Sequence, residues 1–123
     1  MDRYTKLIND MSVHAQKDYP LECCGLITKD YKYVECQNVS TSPKNSFILD
    51  PLALLEYEDK VWGVFHSHPG SSNPLPSEED LKHTVFDEYR FIVGFANKFF
   101  IYWYDEKLDS LIYEPFQEEH LIE

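Results

Sequence analysis

The sequence is poor in positive charge. Its 123 residues include 11 Lys plus Arg against 22 Asp plus Glu, which gives a formal net charge of −11 at pH 7. Proteins bind phosphate backbones and anionic lipid surfaces through clusters of Lys and Arg, and this acidic excess works against both partners. We therefore expect no nucleic-acid partner and no membrane-surface partner.

The sequence also lacks the cysteine patterns of disulfide-rich proteins and of cysteine zinc sites. Its cysteines, Cys23, Cys24 and Cys36, include no C-x-x-C pair and do not suit a small secreted disulfide framework. No basic-then-apolar leader opens the chain, and no apolar run approaches the ~18 residues that a membrane span needs. These absences predict a reducing compartment, and we expect a cytoplasmic protein.

No linker, repeat or low-complexity segment interrupts the chain, and its length suits a single domain over residues 1–123. Apolar spacing predicts a helix over residues 3–17, Asp50 followed by proline predicts a short second helix, and a third helix starts near Ser77. Strands are predicted at "CGLIT", "YKYVECQNV", "SFIL", "VWGVFHSH", "RFIVGFA", "FFIYWYD" and "SLIYEPF". This order predicts an α+β fold with helices packed on a sheet, whose centre holds the strands near residues 91–104.

Two histidines at the end of a predicted strand carry the strongest chemical signal. In "VFHSHP", His66 and His68 are two positions apart, so both side chains point to one face if the strand is extended. Pro69 ends the strand, and Asp80 lies one turn into the next helix, on the side of Ser77. An ion between the two elements could take nitrogen from His66 and His68 and oxygen from Asp80. Three protein ligands and one water make the open arrangement of catalytic zinc.

These residues also have plain structural interpretations. Ser77 and Asp80 are spaced like a capping box at a helix start, and a single histidine at a strand end is commonly structural. The combined pattern H-x-H-P and S-x-x-D is expected by chance on the order of 10⁻⁵ of the time in a chain of this length, which favours a metal site. Glu22, just before the first strand, is the candidate proton acceptor, although by itself it would be a surface glutamate.

Together these residues resemble the JAMM metallopeptidase family, also called the JAB/MPN domain. The family pattern is a glutamate after the first helix, then H-[ST]-H-P, a loop and S-x-x-D, carried here by Glu22, His66, Ser67, His68, Pro69, Ser77 and Asp80. The resemblance covers essentially the whole chain. It implies a JAB/MPN-type fold with a central mixed or antiparallel sheet flanked by helices, in a cytidine-deaminase-like outline. The loop between His68 and Ser77 is one residue longer than is common in the family.

The resemblance implies a zinc-dependent hydrolase that cleaves a peptide or isopeptide bond in a peptide or protein substrate. His66, His68 and Asp80 would hold Zn²⁺, which can lower the pKa of a bound water to about 7. Glu22 would act as general base and return the proton to the leaving amine, and Ser77 would donate a hydrogen bond to the oxyanion. The long insertions that shape ubiquitin recognition in this family have no counterpart here.

Three segments, "YPLECCGLI", "SFILDP" and "VFHSHP", look most like the N-terminal domain of phage tail assembly protein K. In that arrangement a cysteine peptidase domain of NlpC type follows, whereas this chain stops at Glu123. This likeness adds phage tail proteins, or a separate NlpC-type peptidase, as expected partners, and the host cytoplasm or the virion tail as the location. The alternative function is a structural or assembly module of a phage tail with a vestigial or unused metal site.

Two further enzyme classes fit less well. A zinc nucleoside deaminase would need H-x-E and P-C-x-x-C, and neither occurs. A cysteine hydrolase built from Cys23 and His68 would leave the other metal-type residues without a role. Adjacent strand residues face opposite sides, so at most one of Cys23 and Cys24 can point to the site, and we expect both to be buried packing residues. Ser67 should face away from the ligands and support the neighbouring strand.

Overall fold

The structure is a computed structural model that describes residues 2–70, 74–84 and 88–121. Within them, the helices are α1 (Arg3–Asp18), α2 (Pro51–Glu56) and α3 (Glu78–Thr84). The strands are β1 (Cys24–Thr28), β2 (Tyr33–Cys36), β3 (Val61–Ser67), β4 (Arg90–Phe95), β5 (Lys98–Asp105) and β6 (Ser110–Pro115). Short 3-10 turns follow α2 at Glu58–Lys60 and β6 at Glu118–Leu121. No helix in this described part is long and apolar enough to cross a bilayer.

The described strands form one mixed sheet in the order β2-β1-β3-β4-β5-β6. Neighbouring strands pair antiparallel, except β3 and β4, which run parallel. The predicted α+β class is therefore confirmed. The prediction that the strands near residues 91–104 are central holds for β4, whereas β5 is second from the edge of the sheet.

Apolar side chains pack on both faces of this sheet. On one face, Met11 of α1 belongs to the same buried cluster as Phe65 of β3. On the other face, Leu54 of α2 and Leu81 of α3 belong to a cluster with Val64 of the same strand. Because consecutive strand residues point to opposite faces, β3 contributes to both clusters and is covered on both sides.

Local sequence signals place the helix ends well. The side chain of Asp2 accepts a hydrogen bond from the Thr5 N–H, and α1 ends at Asp18, close to the predicted boundaries. Asp50 accepts from the Leu52 N–H over 3.0 Å, so the predicted cap of α2 is confirmed.

Two predicted elements differ from the structure. The segment "SFIL" forms no strand and makes only an isolated bridge between Asn38 and Leu49, and β2 is shorter than "YKYVECQNV". The Asn38 side chain bonds to the Ser46 carbonyl and the Ile48 N–H, which replaces the ladder bonds of a strand. The third helix, predicted over "PSEEDLKHTVFDEY", is described only as Glu78–Thr84, and residues 85–87 lie outside the described residues.

Candidate catalytic and metal site

The antiparallel pairing of β1 with β3 builds the candidate site. Cys24 lies opposite His66, so the same register carries Glu22, two residues before Cys24, to the level of His68. Since alternate residues of an extended chain share a face, Glu22, His66 and His68 belong to one side of the sheet. Val64 and His66 are two positions apart on β3, so they point to the same face. This is the face that α2 and α3 cover.

The residues singled out from the sequence line one cavity of about 660 Å³. They are Glu22, His66, His68, Ser77 and Asp80. The other walls come from loop residues 45–49 and from side chains of α2, β3, β4 and β5, and these are mostly apolar. Apolar walls around a few convergent polar groups are typical of a ligand-binding site.

His66 and Asp80 are in direct contact. The distance between His66 Nε2 and Asp80 Oδ2 is 3.1 Å. Two donor atoms that share a tetrahedral zinc ion at ~2.0–2.1 Å from each are about 3.3 Å apart, so this spacing also suits a shared ion. Burial works to raise the pKa of Asp80, but hydrogen bonds and charge from His66 and hydrogen bonds from Ser77 outweigh it and lower the pKa to about 2. Asp80 is therefore an ionised carboxylate, the form that binds metals.

The ring of His66 is enclosed and held in orientation. It is 2% exposed, and the Phe47 ring stacks on it with centroids 4.3 Å apart and an interplanar angle of 16°. Within the described residues, its Nδ1 is buried without a hydrogen-bond partner. Nε2 is thus the nitrogen that His66 presents to Asp80.

His68 is oriented by a hydrogen bond to the backbone of Leu75. Its Nδ1 lies 3.0 Å from the Leu75 carbonyl oxygen, which can only accept, so Nδ1 carries the proton. In the neutral ring, Nε2 then has a free electron pair, as a metal ligand needs. The chemistry of the donor set, two imidazole nitrogens and a carboxylate, fits zinc.

The structure does not, however, gather all three predicted ligands around one point. In the part of the chain that is described, no three His, Cys, Asp or Glu side chains form a group that could hold a metal ion as placed. The structure brings His66 and Asp80 into contact and places His68 in the same cavity. The metal therefore stays a prediction.

Glu22 is buried and held by its backbone. It is 6% exposed, its N–H donates to the Pro43 carbonyl over 2.7 Å, and its carbonyl accepts from Asn38 Nδ2 over 2.9 Å. Burial, and secondly the negative charge of Asp80, raise the pKa of Glu22 to about 7. A carboxyl group with a pKa near neutrality can both take up and return a proton, as a general base does in a hydrolase.

Ser77 forms the capping box. Its N–H donates to Asp80 Oδ2 over 2.9 Å, and the Asp80 N–H donates back to Ser77 Oγ over 3.1 Å. These bonds fix the Asp80 carboxylate at the start of α3. Because Ser77 Oγ is the acceptor, its own proton can still be donated, and the oxyanion role stays a prediction.

The cysteines have the packing role predicted for them. Cys23 and Cys24 are both buried but belong to clusters on opposite faces of the sheet, and Cys23 is on the α1 side, away from the cavity. Burial raises the pKa of the Cys23 thiol to about 11, which makes it a poor nucleophile. Ser67 Oγ accepts from the Cys23 N–H over 2.8 Å, so its predicted support of β1 is confirmed.

The sequence reasoning missed three residues around the cavity. Phe47 stacks on His66, and Asn38 holds the backbone of Glu22. Tyr102 lines the cavity, and burial, followed by the charges of Asp80 and Glu22, raises its pKa, so it is a neutral hydroxyl. Strand alternation could have assigned Tyr102 to this face, whereas no local pattern marks Phe47 or Asn38.

Comparison with known proteins finds a family match over most of the chain and a relative from a phage. Residues 5–103 match the model of a family described as prokaryotic homologs of the JAB domain, and this range includes every candidate site residue. The chain is also 37% identical over 82 residues to tail tip assembly protein K of Escherichia phage N15, a match that covers 61% of this chain and 32% of the phage protein. The aligned part thus spans about a third of this curated relative.

Proposed function

Because the chain belongs to the family of prokaryotic homologs of the JAB domain, we propose that it is a zinc-dependent peptidase or isopeptidase of the JAMM type. The observation that carries this proposal is the buried carboxyl group of Glu22, which lines one cavity with His66, His68 and Asp80. A carboxyl group kept away from water beside metal-type ligands is costly for a purely structural site and useful for proton transfer.

His66, His68 and Asp80 are the residues that would hold the zinc ion. The contact between His66 and Asp80 supports this ligand set, as does the hydrogen bond from His68 Nδ1 to Leu75, which leaves Nε2 as the nitrogen that could bind a metal. Zinc bound there would supply the Lewis acidity that activates water at neutral pH.

Glu22 and Ser77 have separate roles in the proposed hydrolysis. Glu22 takes a proton from the attacking water and returns it to the leaving amine, a task for which a pKa of about 7 is suited. Ser77 donates a hydrogen bond from its hydroxyl group to the developing oxyanion, and its capping bonds to Asp80 keep it in place. The cavity walls around these groups are mostly apolar, and Phe47 covers one face of the His66 ring.

A second candidate function is an assembly module of a phage tail that does not use its metal site. The name of the matched phage protein favours it, as does the lack of a three-ligand group within the described residues. In this role its partners would be phage tail proteins or a separate NlpC-type peptidase, in the host cytoplasm or the virion tail.

Metal analysis of the purified chain tests the enzyme proposal first. After zinc loading and desalting, elemental analysis should find about one zinc ion per chain, and His68→Ala should lose it. His120→Ala is the matched control, since His120 bonds to Glu114 and Gln117 and does not line the cavity. A folded wild-type chain that stays metal-free would overturn the proposal.

Turnover tests the role of Glu22. With a quenched-fluorescence library of peptides and Lys-linked isopeptides, Glu22→Gln should keep zinc and lose about 10²- to 10⁴-fold of the rate. Glu106→Gln, an exposed change in the β5–β6 turn, should match the wild type. Zinc binding without hydrolysis of any library member would favour the assembly module instead.

A further inference from the structure

The loop between β2 and α2 contributes more to the site than a connection needs. We call residues 38–49 the clasp loop. Its ends are joined by the bridge between Asn38 and Leu49 and by the hydrogen bond from the Val39 N–H to the Ile48 carbonyl, 2.9 Å long. Inside it, the Ser46 N–H donates to the Ser42 carbonyl over 3.0 Å. The clasp loop is thus a closed, internally bonded unit.

One side chain, Asn38, connects this unit to the segment that carries Glu22, just before β1. Its Oδ1 accepts from the Ser40 and Ile48 N–H groups, each over 3.0 Å. Its Nδ2 donates to the Ser46 carbonyl over 3.0 Å and to the Glu22 carbonyl over 2.9 Å. The bond to Ser40 is an ordinary turn bond of asparagine, but the bond to Glu22 crosses 16 residues of sequence.

The clasp loop reaches both kinds of group in the candidate site. Its Pro43 carbonyl accepts from the Glu22 N–H, so both backbone polar groups of Glu22 bond to this loop. Its Phe47 stacks on the imidazole of His66. A displacement of the loop would therefore move the proposed general base and uncover a proposed metal ligand together.

We propose that Asn38 is a positioning residue: through the clasp loop it sets the place of the Glu22 carboxyl group relative to His66. The inference rests on the proposed function for its catalytic consequence, but its geometric content does not. The important half of the side chain is the amide donor Nδ2, because it makes the bond to Glu22. The acceptor Oδ1 bonds only to groups of the clasp loop itself.

The substitution Asn38→Asp separates these halves. The carboxylate keeps the acceptor for Ser40 and Ile48 but loses both donations and sets a negative oxygen against the Glu22 carbonyl. Asn97→Asp in the turn between β4 and β5 is the matched control, because Asn97 is exposed and undergoes the same change of charge. Asn38→Ala removes the hydrogen bonds to Ser46 and Glu22 without placing a negative oxygen against the Glu22 carbonyl. If Asn38→Asp fails to fold, the alanine variant tests the positioning role instead.

NMR of the folded variants is the first measurement. The backbone signal of Glu22 and the imidazole signals of His66, which the Phe47 ring current shifts, should move in both Asn38 variants. In Asn97→Asp they should stay in place. Unchanged Glu22 and His66 signals in folded Asn38 variants would overturn the proposal, even if their unfolding midpoints fell, since that pattern is the mark of a merely structural residue.

Kinetics on whichever library peptide the wild type hydrolyses is the second measurement. Because a small displacement of a reacting group is costly, Asn38→Asp should lose about 10²-fold in kcat, more than any rise in KM, while it retains zinc. Equal kinetics for the Asn38 and Asn97 variants would refute the positioning role and leave the proposed function standing. If the wild type hydrolyses nothing, the proposed function fails and the NMR shifts alone decide about Asn38.

Discussion

Glu22 and Asp80 are two carboxyl groups of one cavity whose surroundings push their pKa values apart. Asp80 accepts hydrogen bonds from His66 and Ser77, and its pKa falls to about 2 despite burial. Glu22 is desolvated and faces the negative charge of Asp80, so its pKa rises to about 7. Such a separation lets one carboxylate remain charged as a ligand while the other exchanges a proton.

The raised pKa of Glu22 predicts a pH-dependent loss of stability in the metal-free protein. Above about pH 7 the folded chain holds an ionised, buried carboxylate, whereas below its ordinary pKa of 4.5 the group is neutral in both folded and unfolded chains. The free energy of unfolding of the wild type should therefore fall, relative to Glu22→Gln, as pH rises from 4.5 through 7. Between pH 4.5 and pH 8 the stability difference should therefore change in favour of the variant by up to about 3 kcal/mol.

Urea unfolding of both chains in the presence of a chelator, at pH 4.5 and at pH 8, measures this difference. The chelator matters because a bound cation would favour the ionised form of Glu22. Glu106→Gln, an exposed change, should follow the wild type at both pH values. A constant difference between Glu22→Gln and wild type across this range would contradict the assignment.

At the scale of an element, the first turn of α3 joins helix stability to site geometry. Ser77 and Asp80 satisfy each other's backbone N–H groups, and the same Asp80 oxygen contacts His66. The cap thus determines where a predicted metal ligand stands. The capping role of Ser77 is observed, and its role as oxyanion donor is separable from it by substitution.

Two substitutions of Ser77 distinguish the roles. Ser77→Ala removes both cap and hydroxyl and should lower the free energy of unfolding by about 1 kcal/mol, whereas Ser77→Gly should cost only a few tenths, about 0.3 kcal/mol. Both lack the donor, so hydrolysis should fall about 10²- to 10³-fold in each. Turnover that followed stability, with glycine near wild type, would mean that Ser77 only caps α3.

At the scale of the whole molecule, β3 is the strand on which the fold and the site both depend. It pairs with β1 and β4, contributes to clusters on both faces, and ends at the candidate site. Phe65, next to His66, is fully buried on the α1 side and contacts the rings of Tyr33 and Phe99. Phe65 is therefore one of the large buried side chains in the core on the α1 face of β3.

Truncation of the Phe65 side chain should destabilise the sheet and the helices packed on it. Phe65→Ala should lower the free energy of unfolding by about 3–5 kcal/mol, since it removes a large buried ring and leaves a cavity. Tyr113→Ala on β6 is the control, because Tyr113 is 52% exposed and a surface change costs about 0.5 kcal/mol. Chemical unfolding measures both, and similar losses would argue against a core centred on β3.

Much of the fold, and the residues of the candidate site, could be predicted from local patterns. Helix α1, the cap of α2 and strand β3 lie where periodicity and capping residues predict them, because these signals act over a few neighbouring residues. The H-x-H-P and S-x-x-D patterns likewise named the four residues that line the cavity with Glu22. Alternation along β1 also predicted that Cys23 and Cys24 would face opposite ways.

Only the tertiary structure decided what depends on residues far apart in sequence. The sequence made Glu22 the candidate proton acceptor, although taken by itself it would be a surface glutamate. Its burial follows from the pairing of β1 with β3 and from the loop that Asn38 holds. Two predictions were wrong for the same reason: "SFIL" forms no strand, and β5 is not central in the sheet. Strand order and side-chain bonds across a loop depend on residues that are far apart in sequence. The sequence thus determined which residue types are present at the site. The packed fold determined the burial of Glu22, the contact between His66 and Asp80, and the effect of the Asp80 charge on the pKa of Glu22.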